Sequence, residues 1–68
     1  MENDISKRLK ELRLEHDLSQ ERLAKLCNVK QSCVSKWERG VTFPSLDIII
    51  ILVKIYKVTS DYILGIEN

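Results

Sequence analysis

Apolar residues recur at helical spacing in five separate stretches of this 68-residue chain. The first amphipathic helix is predicted over roughly residues 4–15, and Asn3 or Asp4 would cap it. The apolar positions of this helix are Ile5, Leu9 and Leu12. His16-Asp17 breaks the pattern. We predict that this histidine is a solvated loop residue, because no nucleophile pattern accompanies it.

Residues 19–39 predict two short helices joined by a tight turn. Ser19 is a good N-cap for the first of the two, and Asn28 tolerates the left-handed conformation that a sharp turn needs. The next helix runs from about Lys30 to Arg39, and Gly40 ends it. The apolar residues expected to face inward are Leu23, Ala24, Cys27, Val29, Val34 and Trp37.

A fourth helix is predicted over about residues 45–56, because the helical period continues through the run IIIILV. Its core face is expected to hold Leu46, Ile49, Ile50, Leu52, Val53 and Tyr56. The residues that then fall outside this face are Ile48, Ile51 and Ile55. A last short helix begins at Thr59 or Ser60 and ends near Leu64, with Gly65 as its stop. No strand alternation is present, so an all-α chain of five helices is expected.

The helix pair at residues 19–39 meets the steric requirements of a helix-turn-helix. Close crossing of two helices needs a small residue midway along the first, and Ala24 is small. The turn must accept unusual backbone angles, which Asn28 can adopt. The second helix carries Lys, Gln and Ser on its outward side, and these side chains suit the hydrogen-bonding groups of a DNA major groove.

The chain resembles the phage repressor and Cro type of helix-turn-helix family, also called XRE-like. The likeness is carried by Arg13 and by the segments LSQERLA, WERG, PSLD and VTSDYILG, and it extends over about residues 5–65. It implies a compact five-helix bundle, the lambda repressor-like DNA-binding domain, whose third helix enters the major groove. Asn28 stands where the family usually has glycine, and Asn is the next best residue at such a turn.

The resemblance also implies which side chains contact DNA. The base-reading candidates are Gln20, Lys30, Gln31, Ser32, Ser35 and Lys36. Gln bonds bidentately to adenine, and Lys donates to guanine. The candidates for the DNA backbone are Arg13, Arg39, Thr42, Lys7 and Arg8. Arg13 and Glu38 are further expected to pair between the first and third helices. The alternative to DNA contact is an ordinary solvated polar face. The alternative to the Arg13–Glu38 pair is two unrelated surface charges.

Charge and cysteine usage refine this interpretation. The net charge is only +1, but residues 25–39 contain four basic residues and one acidic residue. That local excess fits a polyanion, and chance clustering is the alternative. Cys27 and Cys33 are too widely spaced for a zinc site without further ligands, so we expect small buried thiols in a reducing compartment. No metal or cofactor is predicted.

The C-terminal third carries more apolar residues than one small core needs. We predict a homodimer interface from Ile51, Ile55, Tyr62, Ile63 and Ile66. The alternative is an isoleucine-rich composition with scattered exposed residues. The N-terminus lacks the apolar core of a signal peptide, and no apolar run is long enough to span a bilayer, so a cytoplasmic protein is expected.

Together these features predict one domain over residues 1–68 that binds double-stranded DNA sequence-specifically and regulates transcription. A repressor that binds a palindromic operator as a homodimer is expected. The alternative is a protein-interaction module, such as an antitoxin or adaptor, with the same fold. An enzyme is not expected, because no metal-ligand spacing, nucleotide loop or nucleophile–base set is present, and no small-molecule substrate is evident.

Overall fold

Five helices and their connections make up residues 4–66, the part of the chain that this computed structural model describes. They are α1 (Asp4–Glu15), α2 (Gln20–Cys27), α3 (Gln31–Glu38), α4 (Leu46–Tyr56) and α5 (Ser60–Leu64). The predicted all-α order is confirmed. Asn3, a candidate cap of α1, lies outside the described residues. Within residues 4–66, every helix is too short or too polar to cross a membrane.

Three helices begin where a hydroxyl side chain caps them. Ser19, Ser45 and Thr59 each have extended backbone angles, and each accepts a hydrogen bond from the backbone N–H three residues later. Each cap satisfies one of the N–H groups that a helix leaves free at its start. The prediction for α3 was slightly long, because Lys30 and Arg39 are its flanking caps and the helix begins at Gln31.

The turn between α2 and α3 depends on one left-handed residue. Asn28 has φ 57° and ψ 45°, as the sequence predicted. Directly after it, the N–H of Val29 donates to the Ala24 carbonyl at 2.9 Å. Gly40 ends the α3 region with φ 75°, where an L side chain is disfavoured. These two left-handed residues lie on either side of α3, one before its start and one after its end.

All five helices contribute to one core. Its buried apolar members are Leu9, Leu12, Leu23, Ala24, Cys27, Val34, Trp37, Ile49, Leu52, Tyr56 and Ile63. α1 packs against α3 and α5, α2 packs against α3 and α4, and α4 packs against α5. A fully buried side chain such as Leu52 or Ile63 contributes about 1.5–3 kcal/mol relative to the exposed state. α3 is therefore held from two sides, by α1 and by α2.

The orientation of α4 differs from the prediction. Leu46 and Ile50 were assigned to the core face, but they are 74% and 47% exposed. The half-buried residues that pack against the core include all three predicted to lie outside it, together with Val53: Ile48, Ile51, Val53 and Ile55. The prediction is confirmed for Ile49, Leu52 and Tyr56, which are buried. It was wrong for Leu46 and Ile50, because a helix that is apolar on nearly every side has no clear polar face to define its rotation.

Candidate nucleic-acid interface

α3 and its N-cap present a polar surface away from the core. Lys30, Gln31, Ser32 and Lys36 are exposed, and Ser35 is half-buried. On the opposite side of the same helix, Val34 and Trp37 are buried in the core. Side chains three and four residues apart share a helix face, so the polar residues form one continuous outward stripe. An α-helix of this kind is narrow enough to enter a DNA major groove.

α2 supports α3 through a close crossing. Ala24 is only 3% exposed and lies in the core beside Leu23 and Cys27. Its methyl group is small enough to let the two helices approach. Val29, directly after the left-handed Asn28, is half-buried and packs against the same core. This arrangement keeps the start of α3 at a defined angle to α2.

A buried ion pair attaches α3 to α1. Arg13 Nε donates to Glu38 Oε2 at 2.7 Å, and Arg13 Nη2 donates to Glu38 Oε1 at 3.0 Å. Arg13 Nη1 also donates to the Leu18 carbonyl at 2.8 Å. Both charged residues are buried, at 8% and 4% exposure. The two-pronged geometry is the one that guanidinium and carboxylate groups favour, and it restricts the position of the end of α3.

Electrostatics agree with this pairing. The hydrogen bond to Glu38 raises the pKa of Arg13 above its ordinary value, although burial alone would lower it. Glu38 is the one acidic residue within residues 25–39. Its pairing with Arg13 keeps that negative charge away from the outer surface of α3. The exposed side of α3 is consequently more positive than the sequence count of charges indicates.

The hydrogen bonds continue from this ion pair to the start of α3. Gln20 Nε2 donates to Glu38 Oε1 at 3.1 Å, and Gln31 Nε2 donates to Gln20 Oε1 at 3.4 Å. The chain of contacts therefore runs from buried Glu38 through half-buried Gln20 to exposed Gln31. Sequence reasoning named all three residues but missed their connection. No local signal could have shown it, because Gln20 and Glu38 are 18 positions apart.

The candidates for DNA-backbone contact are in different surroundings. Arg39 and Thr42 are exposed just after α3, and Arg39 Nε donates to Ser35 Oγ at 3.2 Å. Lys7 is exposed on α1. Arg8 instead contacts α5: its Nη1 donates to the Tyr62 carbonyl at 2.9 Å, and its guanidinium lies 4.4 Å from the centre of the Tyr62 ring.

These contacts give Arg8 a structural role that the sequence analysis missed. They join the two ends of the chain, since Arg8 and Tyr62 are 54 positions apart. A phosphate contact by Arg8 stays a prediction, and it would compete with α5 for the same guanidinium. Arg13 is engaged in a similar way by Glu38 and Leu18, so its contact with a phosphate also stays a prediction.

The predicted dimer residues are unequal in exposure. Ile63 is 0% exposed and belongs to the core, so it has no surface for a partner chain and its assignment was wrong. Ile51, Ile55 and Tyr62 are half-buried, and Ile66 is 65% exposed. Four large exposed apolar side chains lie instead in the connection before α4 and in the first half of α4: Val41, Phe43, Leu46 and Ile50. The apolar surplus exists, but much of it lies at the start of α4 and in the connection before it.

The remaining candidate residues are the two cysteines and the histidine. Cys27 is buried and Cys33 is half-buried, and both are free thiols. Burial raises the pKa of the Cys27 thiol, which lowers its reactivity. His16 is exposed as predicted, and its ring packs against Tyr56 with a centroid distance of 4.7 Å. Residues 4–66 contain no group of three or more His, Cys, Asp or Glu side chains placed to hold a metal ion.

Comparisons with known proteins agree with this geometry. A family model described as helix-turn-helix matches residues 9–63. The structure is similar to that of the P22 c2 repressor protein, solved in complex with a synthetic operator, with a TM-score of 0.86 and 26% sequence identity. That alignment covers 97% of this chain and 100% of the repressor chain.

Two sequence relatives are longer proteins. The uncharacterized HTH-type transcriptional regulator YobD of Bacillus subtilis is 38% identical over 61 residues, which cover 90% of this chain and 54% of YobD. The HTH-type transcriptional activator BcrR of Enterococcus faecalis is 33% identical over 65 residues, covering 96% of this chain and 32% of BcrR. The chain thus spans about half or less of the length of the curated relatives it matches.

Proposed function

Because this chain belongs to the helix-turn-helix family, we propose that it is a transcription regulator that binds operator DNA with α3 in the major groove. The observation that carries the proposal is the buried Arg13–Glu38 pair, which holds α3 in place while its polar stripe stays exposed. A helix fixed in this way can meet base edges without the entropic cost of ordering a loop. The similarity to a repressor chain solved on its operator supports the same docking.

Each side chain on the stripe has a defined task in this proposal. Gln31 at the start of α3 would bond to adenine, and Lys30 and Lys36 would donate to guanine or to phosphates. Ser32 and Ser35 would make permissive contacts to either kind of base. Sequence-independent contacts to the DNA backbone come from Arg39 and Thr42, which set the register of the protein on the duplex.

We further propose that two copies bind a palindromic operator. One α3 contacts only a few base pairs, and two-fold symmetry doubles the number of contacts. The half-sites would then lie roughly 10 base pairs apart, one helical turn of DNA. Leu46 and Ile50 lie four residues apart on the outer side of α4, so their exposed side chains form an adjacent apolar pair that supports an interface between copies.

Sedimentation of single variants tests the dimer. Ile50→Lys changes an exposed residue on the outer side of α4, and Ile51→Lys changes its half-buried neighbour. We expect the parent chain to sediment as a dimer at micromolar concentration and at least one of these variants as a folded monomer. If parent and variants all sediment as monomers, the homodimer proposal is wrong.

Selection of duplexes from a random pool tests DNA binding directly. We expect enrichment of a palindrome and an affinity that falls by orders of magnitude between about 50 and 200 mM salt. Lys36→Ala should weaken binding, whereas Lys54→Ala on the exposed side of α4 should not. The two variants change the net charge equally, so a difference between them locates the interface. If the protein binds none of the duplexes at low salt, the proposal is refuted.

The direction of regulation is proposed to be repression. A small domain bound across a promoter excludes polymerase without further contacts, whereas activation needs a surface for the polymerase. A reporter gene behind the selected operator should lose transcription when the protein is present. A gain of transcription would favour activation, the role named for the relative BcrR.

The rival function is a protein-interaction module, such as an antitoxin or adaptor. The observation that favours it is the group of exposed apolar residues around the start of α4, which could pack against the apolar surface of a different protein. Salt separates the two functions, because binding to an apolar protein surface depends far less on ionic strength than binding to phosphates does.

A further inference from the structure

Four exposed side chains lie together on the side of α4 that points away from the core. Leu46 is 74% exposed and Ile50 is 47% exposed, and the exposed Asp47 and Lys54 lie before and after Ile50 along the helix. Residues three or four positions apart are neighbours on a helix surface, so Ile50 adjoins each of the other three. These two apolar and two charged residues make up the outer face of α4.

The two charges on the outer face of α4 have no opposite charge to pair with in their own chain. The residues three or four positions from Asp47 include no basic residue, and those at the same distances from Lys54 include no acidic one. Within residues 4–66, neither side chain takes part in an ion pair or a side-chain hydrogen bond. Both charges are therefore free to pair with groups of another molecule.

The spacing of these charges makes the outer face of α4 complementary to itself. Asp47 and Lys54 are seven positions apart, about two helical turns, so they lie nearly on one line along the helix. The midpoint of that line falls beside Ile50. If a second α4 lies antiparallel across this midpoint, each Asp47 faces the Lys54 of the other copy, and the two Ile50 side chains meet between the charges. A parallel pair would place like charges opposite each other, which disfavours association.

We propose that a second copy of this chain binds on the outer face of α4, with the two α4 helices antiparallel. Two Asp47–Lys54 ion pairs then flank the Ile50 side chains. This inference rests on the homodimer of the proposed function and adds its geometry. A two-fold interface uses the same patch on both copies, so one acid and one base at equal distances from an apolar centre satisfy its symmetry. A different protein would place no such symmetric demand on the two charges.

Charge reversal followed by mixing tests this arrangement. Asp47→Lys carries two basic residues on the outer face of α4, and Lys54→Glu carries two acidic ones, so each variant alone has like charges at both contacts. Sedimentation should give each variant a dimer dissociation constant raised about tenfold or more. An equimolar mixture restores both opposite-charge contacts and should dimerise within about threefold of the parent chain. Circular dichroism melts check that both variants are folded.

Three controls separate pairing from net charge. Lys10→Glu, on the exposed side of α1, changes the net charge as Lys54→Glu does and should leave the dimer unchanged. Lys54→Ala removes an exposed attraction without adding repulsion, so it should weaken the dimer only about threefold. DNA binding by that variant should persist at protein concentrations above the dimer dissociation constant. At about 1 M salt the Debye length is about 3 Å, so the defects of the reversed variants should shrink.

The result for the mixture is decisive. The antiparallel pairing is wrong if either reversed variant dimerises as well as the parent, or if the two variants stay monomeric when mixed. A parent chain that still dimerises would then do so through another surface, and the homodimer itself would stand. If the parent chain is monomeric at micromolar concentration, both the homodimer and the antiparallel pairing are refuted, and the outer face of α4 would be left to a different protein.

Discussion

Replacing Arg13 with alanine removes the principal partner of a buried carboxylate. Glu38 would lose both guanidinium hydrogen bonds, at 2.7 and 3.0 Å, and would keep only the donor from Gln20. The Leu18 carbonyl would also lose its donor at 2.8 Å. Burying an unpaired charge is far less favourable than burying a paired one, so the change destabilises the folded state more than the lost contacts alone suggest.

The expected loss is about 3–5 kcal/mol, the range measured when one partner of a buried ion pair is removed. A chain of this length has a total stability of about 3–10 kcal/mol at the usual value per residue. The variant should therefore be close to unfolding, with a melting temperature lower by at least about 12 °C. Its loss of DNA affinity would then be partly a loss of fold.

Urea unfolding followed by fluorescence is the suitable assay. Trp37 is the single tryptophan of the chain, is 6% exposed, and directly precedes Glu38 in α3. Arg13→Lys keeps the charge but loses the two-pronged geometry, so it should fall between parent and alanine variant. Lys25→Ala is the matched control, because it breaks an exposed pair with Glu21 at 3.7 Å. That control should lose about 0.5 kcal/mol or less.

The double variant separates pairing from packing. In Arg13→Met/Glu38→Leu both charges are absent, so no carboxylate is stranded, and stability should recover most of the loss seen in Arg13→Ala. If Arg13→Ala lowered the free energy of unfolding by less than about 1 kcal/mol, the pair would not be the element that holds α3, and the reasoning from burial would be refuted.

Three further predictions concern stability. Tyr56→Phe should leave stability unchanged or raise it by about 1 kcal/mol in thermal melts, because the buried Tyr56 hydroxyl has no hydrogen-bond partner among the described residues; a loss of more than 1 kcal/mol would reveal a partner. Lys57 ends α4 with φ 55°, so Lys57→Gly should stabilise by about 0.5–1 kcal/mol, whereas Lys57→Ala, with the same backbone strain, should not. Burial raises the pKa of Cys27, so the unfolded chain loses its thiol proton first and stability should fall as pH rises above about 8.5; a Cys27→Ala variant with the same slope would contradict this.

Much of the fold follows from local chemistry that the sequence shows directly. The hydroxyl caps at Ser19 and Thr59, the left-handed turn at Asn28 and the glycine after α3 depend on the conformational preferences of single residues. Such preferences act over one helical turn, so the order of the helices could be predicted from them. The polar stripe of α3 was also predictable, because Val34 and Trp37 define its buried side clearly.

Tertiary packing decided the features that depend on distant partners. α4 is so uniformly apolar that its period could not show which side faces inward, and contacts with α2 and α5 turned Leu46 and Ile50 outward. The hydrogen bonds from Glu38 to Gln20 and from Gln20 to Gln31 join residues 18 and 11 positions apart. Residue preferences and hydrophobic period are local properties, whereas the rotation of an apolar helix and the direction of an amide depend on atoms brought near only by folding.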